Sequence, residues 1–297
     1  MEPEFREYRA EDADAVRDLL NAVFAKAWMT PESWAQWTAE DWTAPVALVD
    51  GRIAGAIPLH RRAYRVAPGA EVVAWVEHRV GVAEELRGRG LGSGMQCSAR
   101  EFLQGRGDVL LVYRGHERSD GYRFYERNGL HDVSYIFTVT LEPGDAAADG
   151  VRWLDADAFL AREPEWLALF EGCYAGFGGF PARHPGCLRR LCTKGIWDTA
   201  IRTYLAFAVL EAAGGPAAYA IIGQRDPSWN DPALSLMEIA ARGASVERMA
   251  RLLDAARARG RPLRCRVSTA APLAQAIRQL GVGLPPRERS SMIMVHV

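Results

Sequence analysis

An apolar run, a glycine-rich turn and a helical pattern follow one another over residues 72–103, and this segment constrains the 297-residue chain most strongly. The turn carries Gly88, Gly90 and Gly92. The helical pattern after it has one apolar face, formed by Leu91, Met95, Phe102 and Leu103. A strand, turn and helix start of this kind leaves backbone N–H groups without partners at the positive end of the helix dipole. The segment therefore predicts an anion-binding site, with a pyrophosphate as the expected ligand.

The spacing of the glycines distinguishes three kinds of phosphate-binding loop. A nucleotide-triphosphatase loop ends in Gly-Lys-Ser/Thr, and neither of the two lysines of the chain is placed for it. A dinucleotide fingerprint needs glycine at its sixth position, which is Ser93 or Met95 in the two registers. The pattern that fits is Arg-x-x-Gly-x-Gly, formed by Arg87, Gly90 and Gly92.

A second motif follows the predicted helix. Asp108–Tyr113 predicts a short buried strand, and residues 114–121 predict a loop. Residues 121–130 predict a short helix that Gly129 terminates. This helix contains the sequence Phe-Tyr-Glu-Arg-Asn-Gly-Leu at positions 124–130.

Together, the two motifs resemble the GNAT superfamily of acetyl-coenzyme A-dependent N-acetyltransferases. In that superfamily the hexapeptide binds the coenzyme pyrophosphate, and a Tyr-Glu-x-x-Gly-Phe helix follows, with Leu130 here in place of the phenylalanine. The resemblance implies acetyl-coenzyme A (acetyl-CoA) as co-substrate and Tyr125 as the proton donor to its sulfur. Packing of Tyr125 on the sheet is the alternative role. The residues expected to contact acetyl-CoA are Val80, Gly81, Val82, Arg87, Gly88, Arg89, Gly90, Leu91, Gly92 and Ser93.

The remaining N-terminal patterns agree with the layout of that superfamily. Phe5–Tyr8 predicts a strand, and Ala13–Phe24 predicts a helix with apolar residues at helical spacing. Residues 45–59 predict a hairpin with Asp50-Gly51 at its turn, and a second turn at Pro68-Gly69 leads into the strand before the glycine loop. The order of these elements predicts an α+β fold with a mixed sheet.

A turn-rich linker at residues 143–150 predicts two domains, at 1–142 and 151–297. The second half repeats the element order of the first. Its predicted helical stretches are Trp153–Tyr174, His184–Thr193, Ser245–Arg259 and Pro272–Leu280, and its predicted strands are Tyr204–Leu210, Ala217–Ile222, Leu234–Ala240, Pro262–Val267 and Ser291–Val297.

Aligning the two halves by motif indicates that the second is a degenerate GNAT-like domain. Ile277 takes the place of Tyr125, whereas Gly281 keeps the place of Gly129. The turn at residues 241–245 lacks the hexapeptide. This tandem arrangement resembles the enhanced-intracellular-survival family, without the sterol-carrier-like third domain of those proteins.

Acetyl transfer to an amine needs a base, because a primary amine with a pKa near ~10 arrives protonated. Glu77, on the strand before the glycine loop, is the first candidate for this base. His116 is the second, and a chain of waters is the third. Free N–H groups at Val80–Val82 are candidates for stabilising the oxyanion. Glu77 and Tyr125 are therefore the predicted catalytic residues.

Aromatic residues crowd positions 24–45, where the superfamily places its acceptor site. Aromatic rings beside carboxylates suit a cationic amine, and packing of helices on the sheet is the alternative. The predicted acceptor contacts are Phe24, Trp28, Trp34 and Trp37. The predicted function is transfer of an acetyl group to a primary amine of a small molecule, by direct attack in a ternary complex. The alternative is a non-catalytic acetyl-CoA sensor or scaffold whose second half binds a protein partner.

The composition restricts the expected binding partners and the expected cellular location of the protein. The net charge of −1 favours neither nucleic acid nor an anionic membrane surface. There is no apolar run long enough to span a membrane, and residues 1–24 carry too many charges for a secretory signal. Five cysteines show no metal-binding spacing, so we expect no metal and a cytoplasmic location. The oligomeric state stays open, with a homo-oligomer among the options.

Overall fold

The computed structural model describes residues 2–24, 29–39, 41–114, 119–145, 149–194, 196–197, 200–225, 232–268, 271–285 and 291–296. Contacts within the chain divide it into two compact units. Unit 1 comprises Met1–Tyr64, Glu71–Val133 and Met292–Val297, and unit 2 comprises Arg65–Ala70 and Ser134–Ser291.

The N-terminal segments of the chain supply most of unit 1, in an order of strands and helices close to the predicted one. The strands are β1 (Glu4–Glu7), β2 (Trp42–Thr43), β3 (Pro45–Val49), β4 (Arg52–Ala56), β5 (Leu59–Ala67), β6 (Ala70–Glu77), β7 (Gly81–Val82) and β8 (Val109–Arg114). The helices are α1 (Ala13–Val23), α2 (Pro31–Trp37), α3 (Leu91–Leu103) and α4 (Asp120–Arg127).

Unit 1 contains both antiparallel and parallel strand pairs. Strands β1, β3, β4 and β7 form a four-stranded antiparallel sheet in that order. Strands β6 and β8 pair in parallel. The apolar face predicted for α3 is buried at Leu91, Met95 and Leu103, which belong to one core cluster with Ile57 and Leu59. Removal of this face from water holds α3 against the sheet.

The predicted hairpin turn is confirmed. Asp50 and Gly51 connect β3 to β4 with φ values of 54° and 74°. Two consecutive residues with positive φ match the twist of the flanking strands, and Asp-Gly is a favoured pair for this turn. The turn at Pro68-Gly69 likewise joins β5 to β6.

Unit 2 has one sheet in the order β10-β13-β14-β15-β16-β9, in which only β15 and β16 pair in parallel among the described pairs. Its strands are β9 (His131–Leu141), β10 (Val151–Leu154), β11 (Phe180–Pro181), β12 (Ile196–Trp197), β13 (Ala200–Ala212), β14 (Gly215–Arg225), β15 (Leu234–Ala241) and β16 (Leu263–Ser268). Its helices are α5 (Ala156–Leu160), α6 (Glu163–Tyr174), α7 (Cys187–Lys194), α8 (Val246–Arg257) and α9 (Pro272–Gln279). None of the helices in the described ranges is long and apolar enough to cross a membrane.

The prediction of a helical stretch beginning at Trp153 was wrong at its start. Residues 151–154 form β10, which pairs with β13. The helix starts only after Asp155, whose side chain accepts a hydrogen bond of 2.8 Å from the Ala158 amide. The apolar residues before this cap belong to the sheet, and helical spacing alone did not separate them from the helix.

The units do not coincide with the predicted domains. Most of β9 lies in unit 2, where the strand pairs with β16. Strand β17 (Ser291–His296) lies almost entirely in unit 1, where it pairs antiparallel with β8 from Met292↔Arg114 to His296↔Leu110. The two compact units therefore assign β9 and β17 differently from the two domains that the turn-rich linker at residues 143–150 predicted.

Candidate active site

The glycine-rich turn adopts a backbone that side chains disfavour. Gly88 and Gly90 have φ values of 77° and 80°, in the left-handed region where a Cβ causes strain. A Cβ built on either residue would meet no atom within 4 Å, so open space lies beside this backbone. The two glycines are therefore explained by chain conformation, and the turn leaves its surface accessible to a ligand.

Helix α3 begins without a side-chain cap. Gly90 occupies its N-cap position, where it has no side chain to offer. Among the described residues, no protein acceptor is recorded for the amides of residues 88–93. The side chains of Arg87 and Arg89 are exposed beside these amides, and Arg87 Nε donates to the Val82 carbonyl at 3.3 Å. Free amides, the helix dipole and two guanidinium groups fit an anion such as a pyrophosphate.

Packing accounts for two further glycines of the predicted coenzyme set. A Cβ on Gly81 would lie 2.9 Å from Leu20 Cδ2, and a Cβ on Gly92 would lie 2.9 Å from Phe124 Cε2. These glycines let α1 and α4 approach the backbone closely. Leu91 is buried in the core, so its amide rather than its side chain is available to a ligand.

The chain changes its strand partner just before the glycine-rich turn. Strands β6 and β8 pair as far as Glu77↔Val112. The chain then passes through Arg79, at φ 55°, and β7 pairs with β4 instead. Beyond Glu77 the backbone of residues 80–82 is thus directed away from β8. Val80 is half-buried there and packs against the cluster of Val112, Tyr125 and Leu130.

The two predicted catalytic side chains meet at this point. Glu77 is 2 % exposed and Tyr125 is 8 % exposed. The Tyr125 hydroxyl lies near enough to the Glu77 carboxylate for each group to shift the pKa of the other. Gln96 of α3, which is fully buried, donates its side-chain N–H groups to both Glu77 oxygens at 2.8 Å each. Glu77 is therefore enclosed by polar partners from two helices.

Burial raises the pKa values of both groups and so makes each a weaker acid. Desolvation raises the pKa of Glu77 to about 7, against the opposing effects of Gln96, Arg100 and Tyr125, which favour the carboxylate. Desolvation and the neighbouring Glu77 raise the pKa of Tyr125 well above its ordinary value. At neutral pH the phenol therefore keeps its proton, whereas Glu77 is close to its own midpoint.

Helix α4 is fixed at both ends, which positions Tyr125. The Ser119 hydroxyl accepts a hydrogen bond of 3.2 Å from the Tyr122 amide at the start of the helix. At its end, Arg100 Nη2 of α3 donates to the Asn128 carbonyl, and the Asn128 side chain donates to the Phe124 carbonyl at 2.7 Å. Tyr125 therefore rests on a helix whose two ends are both anchored.

Sequence reasoning missed Gln96 and Arg100. Gln96 shares a helix face with Ala99 and Leu103, three and seven residues later, and both of those are buried. A polar side chain in an apolar stripe costs free energy unless a partner satisfies it. The interruption of the stripe at Gln96 was therefore the available signal.

The aromatic residues of the predicted acceptor site mostly pack together. Trp34 is 4 % exposed and Trp37 is 7 % exposed, and their ring centroids lie 5.5 Å apart. Trp34 also contacts Trp42 at 5.4 Å. Phe24 is exposed by 38 %, and Trp28 lies outside the described residues. Of the described members, Phe24 alone presents a large apolar surface, so the acceptor assignment stays a prediction.

One histidine next to this cluster, His78, is neutral at pH 7. His78 is buried and its ring lies 5.0 Å from that of His60. Burial, followed by the charge of His60, lowers the pKa of His78 well below its ordinary value. His116, the second candidate base, is outside the described residues.

Unit 2 repeats the end of α4 without its tyrosine. The Leu280 amide donates to Ala276 and Ile277, and the Val282 amide donates to Ile277. The same pattern links Asn128 and Leu130 to Phe124 and Tyr125 in unit 1. Gly129 and Gly281 also share φ values, at 77° and 75°. The structure thus supports the alignment that places Ile277 at the position of Tyr125.

The start of α8 differs from that of α3. The Ser245 hydroxyl accepts a hydrogen bond of 3.4 Å from the Arg248 amide, so this helix has a cap of its own. Strands β15 and β16 pair only at Leu234↔Leu263 and Ser235↔Arg264 among the described residues. Beyond these pairs, Arg183 Nε donates to Glu238 at 2.7 Å. Tyr219 donates to the other Glu238 oxygen at 2.6 Å. A buried ion pair therefore stands where the strands separate.

Comparisons with known proteins agree with this geometry. Residues 13–130 match the model of the Acetyltransferase (GNAT) family. No curated protein matches the sequence significantly. A GCN5-related N-acetyltransferase from Anabaena variabilis has a TM-score of 0.72 at 16% identity, covering 100% of this chain and 73% of its own. Eis1 from Mycobacterium abscessus has a TM-score of 0.62 at 17% identity, covering 98% of this chain and 73% of its own.

A tandem GNAT protein from the clavulanic acid biosynthesis pathway has a TM-score of 0.62 at 16% identity. The match covers 99% of this chain and 98% of that protein, so the likeness extends over both units. Residues 13–130 are thus similar to GNAT-family acetyltransferases, and the chain as a whole has the fold of tandem GNAT proteins.

Proposed function

We propose that the protein transfers the acetyl group of acetyl-CoA to a primary amine of a small molecule, by direct attack in a ternary complex. The family assignment supports acyl transfer in general. The observation that carries the more specific proposal is the buried Tyr125 beside a glycine turn with free amides. A coenzyme sensor needs such a turn, but it does not need a buried, protonated phenol beside the strand that leads into the turn.

The turn would hold the coenzyme by its pyrophosphate. The amides of residues 88–93 and the guanidinium groups of Arg87 and Arg89 supply the donors. Acetyl-CoA, when bound, supplies the activated acetyl group. The backbone of Val80–Val82 lies where the strands separate, and it would provide N–H groups for the developing oxyanion.

Tyr125 would protonate the departing sulfur. Its raised pKa keeps the phenol protonated at neutral pH, as a general acid requires. Removal of a positioned acid costs roughly 10²-fold or more in rate. The amine must lose its proton before it attacks, and a chain of waters is the proposed route, since Glu77 is buried.

The test is release of free thiol from acetyl-CoA in the presence of a panel of small amines. We expect turnover with at least one amine. Tyr125→Phe should lower kcat by roughly 100-fold, because the phenyl ring preserves packing but carries no proton. Its affinity for the coenzyme, measured by calorimetry, should stay within about twofold of that of the unaltered protein.

Tyr122→Phe is the matched control, since Tyr122 lies on the same helix and packs near the same cluster. This variant should retain normal turnover. Coenzyme binding without turnover of any amine would contradict the proposal and favour the sensor. Equal losses in both tyrosine variants would remove Tyr125 from its proposed role. The small-molecule acceptor, the oligomeric state and the cytoplasmic location stay predictions.

A further inference from the structure

The buried carboxyl group of Glu77 lies behind Tyr125 rather than at the protein surface. Glu77 is 2 % exposed, and Gln96 donates to both of its oxygens. A base for an incoming amine must reach the amine directly or through one water. Glu77 instead contacts the group that is expected to protonate the leaving sulfur.

The hydrogen-bond partners of Glu77 suit both of its protonation states. Gln96 donates to the carboxylate, and its Oε1 atom is buried without a partner among the described residues. Rotation of the amide exchanges its donor and acceptor ends. A protonated Glu77 could then donate to that oxygen, or to the Tyr125 hydroxyl. The site therefore tolerates a proton on Glu77, which a purely ionic pairing would not.

Acid strength gives the pair a reason to act together. A free thiol has a pKa of about 8.5, so a phenol whose pKa lies well above 10 is a weak donor to a thiolate. Glu77, with its pKa raised to about 7, is the stronger acid. Net transfer of its proton to a thiolate is favourable by roughly 30-fold, whereas transfer from Tyr125 alone is unfavourable.

We propose that Glu77, held by Gln96, is a proton reserve that acts through Tyr125. The inference rests on the proposed acetyl transfer. As the carbon–sulfur bond breaks, its electron pair goes to sulfur, and the Tyr125 proton bonds to that sulfur. The Glu77 proton moves to the Tyr125 oxygen and restores the phenol. Glu77 is left as a carboxylate and regains a proton from solvent before the next turnover. Glu77 and Gln96 are thus positioning residues, and Tyr125 is the catalytic residue.

The groups facing Glu77 define its pH response. Gln96 and Arg100 approach from α3, Tyr125 approaches from α4, and Val112 is its neighbour on β8. Arg100 is the one charged side chain among these neighbours. Ionised Glu77 has no proton to pass on to Tyr125. Activity should therefore fall as Glu77 ionises, whereas a base at this position would make activity rise.

The first experiment measures kcat against pH with the whole chain. The acceptor should be an amine that is neutral from about pH 6 to pH 9, so that its own ionisation is removed. We expect kcat to fall about tenfold in total as pH rises through the Glu77 midpoint, to the level of Glu77→Gln. Glu77→Gln should be roughly tenfold slower below that midpoint and should show a flat profile. Glu126→Gln, an exposed carboxyl on α4, is the control and should keep the falling limb.

Two further variants separate this role from a structural one. The Gln96 hydrogen bonds lower the pKa of Glu77, so Gln96→Leu should move the falling limb to higher pH. Gln104→Leu, at the exposed end of α3, should leave the limb in place. Tyr125→Phe combined with Glu77→Gln should be no slower than Tyr125→Phe alone, because Glu77 acts only through the phenol.

An infrared measurement on the ligand-free protein gives a readout independent of turnover. A protonated-carboxyl band should disappear as pH rises through the Glu77 midpoint, and it should be absent in Glu77→Gln. In Gln96→Leu the band should disappear at a higher pH. A kcat that rises through this midpoint in the unaltered protein but not in Glu77→Gln would overturn the proposal in favour of a base. Additive losses in the double variant would also overturn it. Absence of turnover with every amine would instead refute the proposed function, and the band would still report whether Glu77 holds the proton.

Discussion

At the scale of single residues, the candidate site combines groups of differing predictability. The glycines of the turn and Tyr125 were predictable, because a local motif fixes both their identity and their spacing. The neighbour that controls Glu77 was not, since Gln96 reaches it only when α3 packs on the sheet. Residue motifs thus located the candidate site, whose role stays a prediction, whereas tertiary packing determines the protonation of its groups.

The raised pKa of Glu77 has a consequence for stability. The pKa of the Glu77 carboxyl rises from 4.5 in the unfolded chain to about 7 on folding. Its contribution to the free energy of unfolding is therefore fully present below pH 4.5 and is lost as pH rises through about 7. The Glu77→Gln variant has no carboxyl group at this position, so its stability should not fall in this way as pH rises. At pH 8 the variant should be more stable by on the order of 3 kcal/mol, and near pH 4 the two proteins should be similar.

Urea unfolding of unit 1 at several pH values measures this difference. Glu126→Gln is again the control, because its exposed position gives no comparable burial effect. Stability curves for Glu77→Gln and the unaltered protein that run parallel from pH 4 to pH 8 would show that Glu77 does not carry the shifted pKa.

At the scale of elements, the sequence predicted turns most accurately where the backbone conformation allows few residue types. The Asp50-Gly51 hairpin and the end of α4 at Gly129 were both predicted correctly, since positive φ values at these places select their residues. Strand β10 was missed because its residues also fit the helical spacing of the segment after it. Short apolar runs beside a helix are ambiguous in sequence, and only the partner strand resolves them.

The start of α3 allows backbone strain to be separated from ligand binding. Gly88 and Gly105 flank this helix, have φ values of 77° and 73°, and have no atom within 4 Å of a built Cβ. Alanine at either position should therefore cost a similar ~1–2 kcal/mol of stability. Only Gly88→Ala should weaken binding of coenzyme A, by roughly tenfold, because only Gly88 lies in the anion-binding turn.

Thermal unfolding and calorimetry on both variants provide the measurement. Gly105→Ala should bind coenzyme A with unchanged affinity. Equal weakening in the two variants would mean that the loss comes from general destabilisation, and the turn would no longer be needed to explain binding.

At the scale of the whole molecule, the sequence predicted the fold class and the repetition of architecture, but not the grouping of strands. The prediction of a final strand at Ser291–Val297 was right, whereas its partner β8 was not predicted. Pairing between strands distant in sequence depends on register and on neighbouring elements, which no local pattern records. Composition therefore located the turn-rich segment at residues 143–150, but it did not reveal that β17 pairs with β8, which is far away in the sequence.

The pairing of β17 with β8 predicts how unit 1 responds to a change far away in sequence. Ile293 is opposite Tyr113 in this pairing. Proline at position 293 removes a backbone N–H and does not fit between strands, so the amides of β8 should exchange with solvent at least about tenfold faster. Ile293→Ala keeps the backbone donor and should leave the exchange of β8 amides much closer to normal.

Hydrogen exchange followed by mass spectrometry on the full chain would measure this effect. Thiol release should fall in parallel, because Val112 of β8 packs in one cluster with Tyr125. Unchanged exchange of β8 in Ile293→Pro would show that β17 does not protect that strand.

The late position of β17 in the chain also bears on biosynthesis. A ribosome translates the codons for unit 2 before it reaches those for Met292–Val297. During that time, β8 lacks its partner strand β17. An unguarded strand edge invites association with other chains. Nascent protein is therefore expected to depend on chaperones during this interval, and prematurely terminated products should accumulate in aggregates rather than as a working fragment.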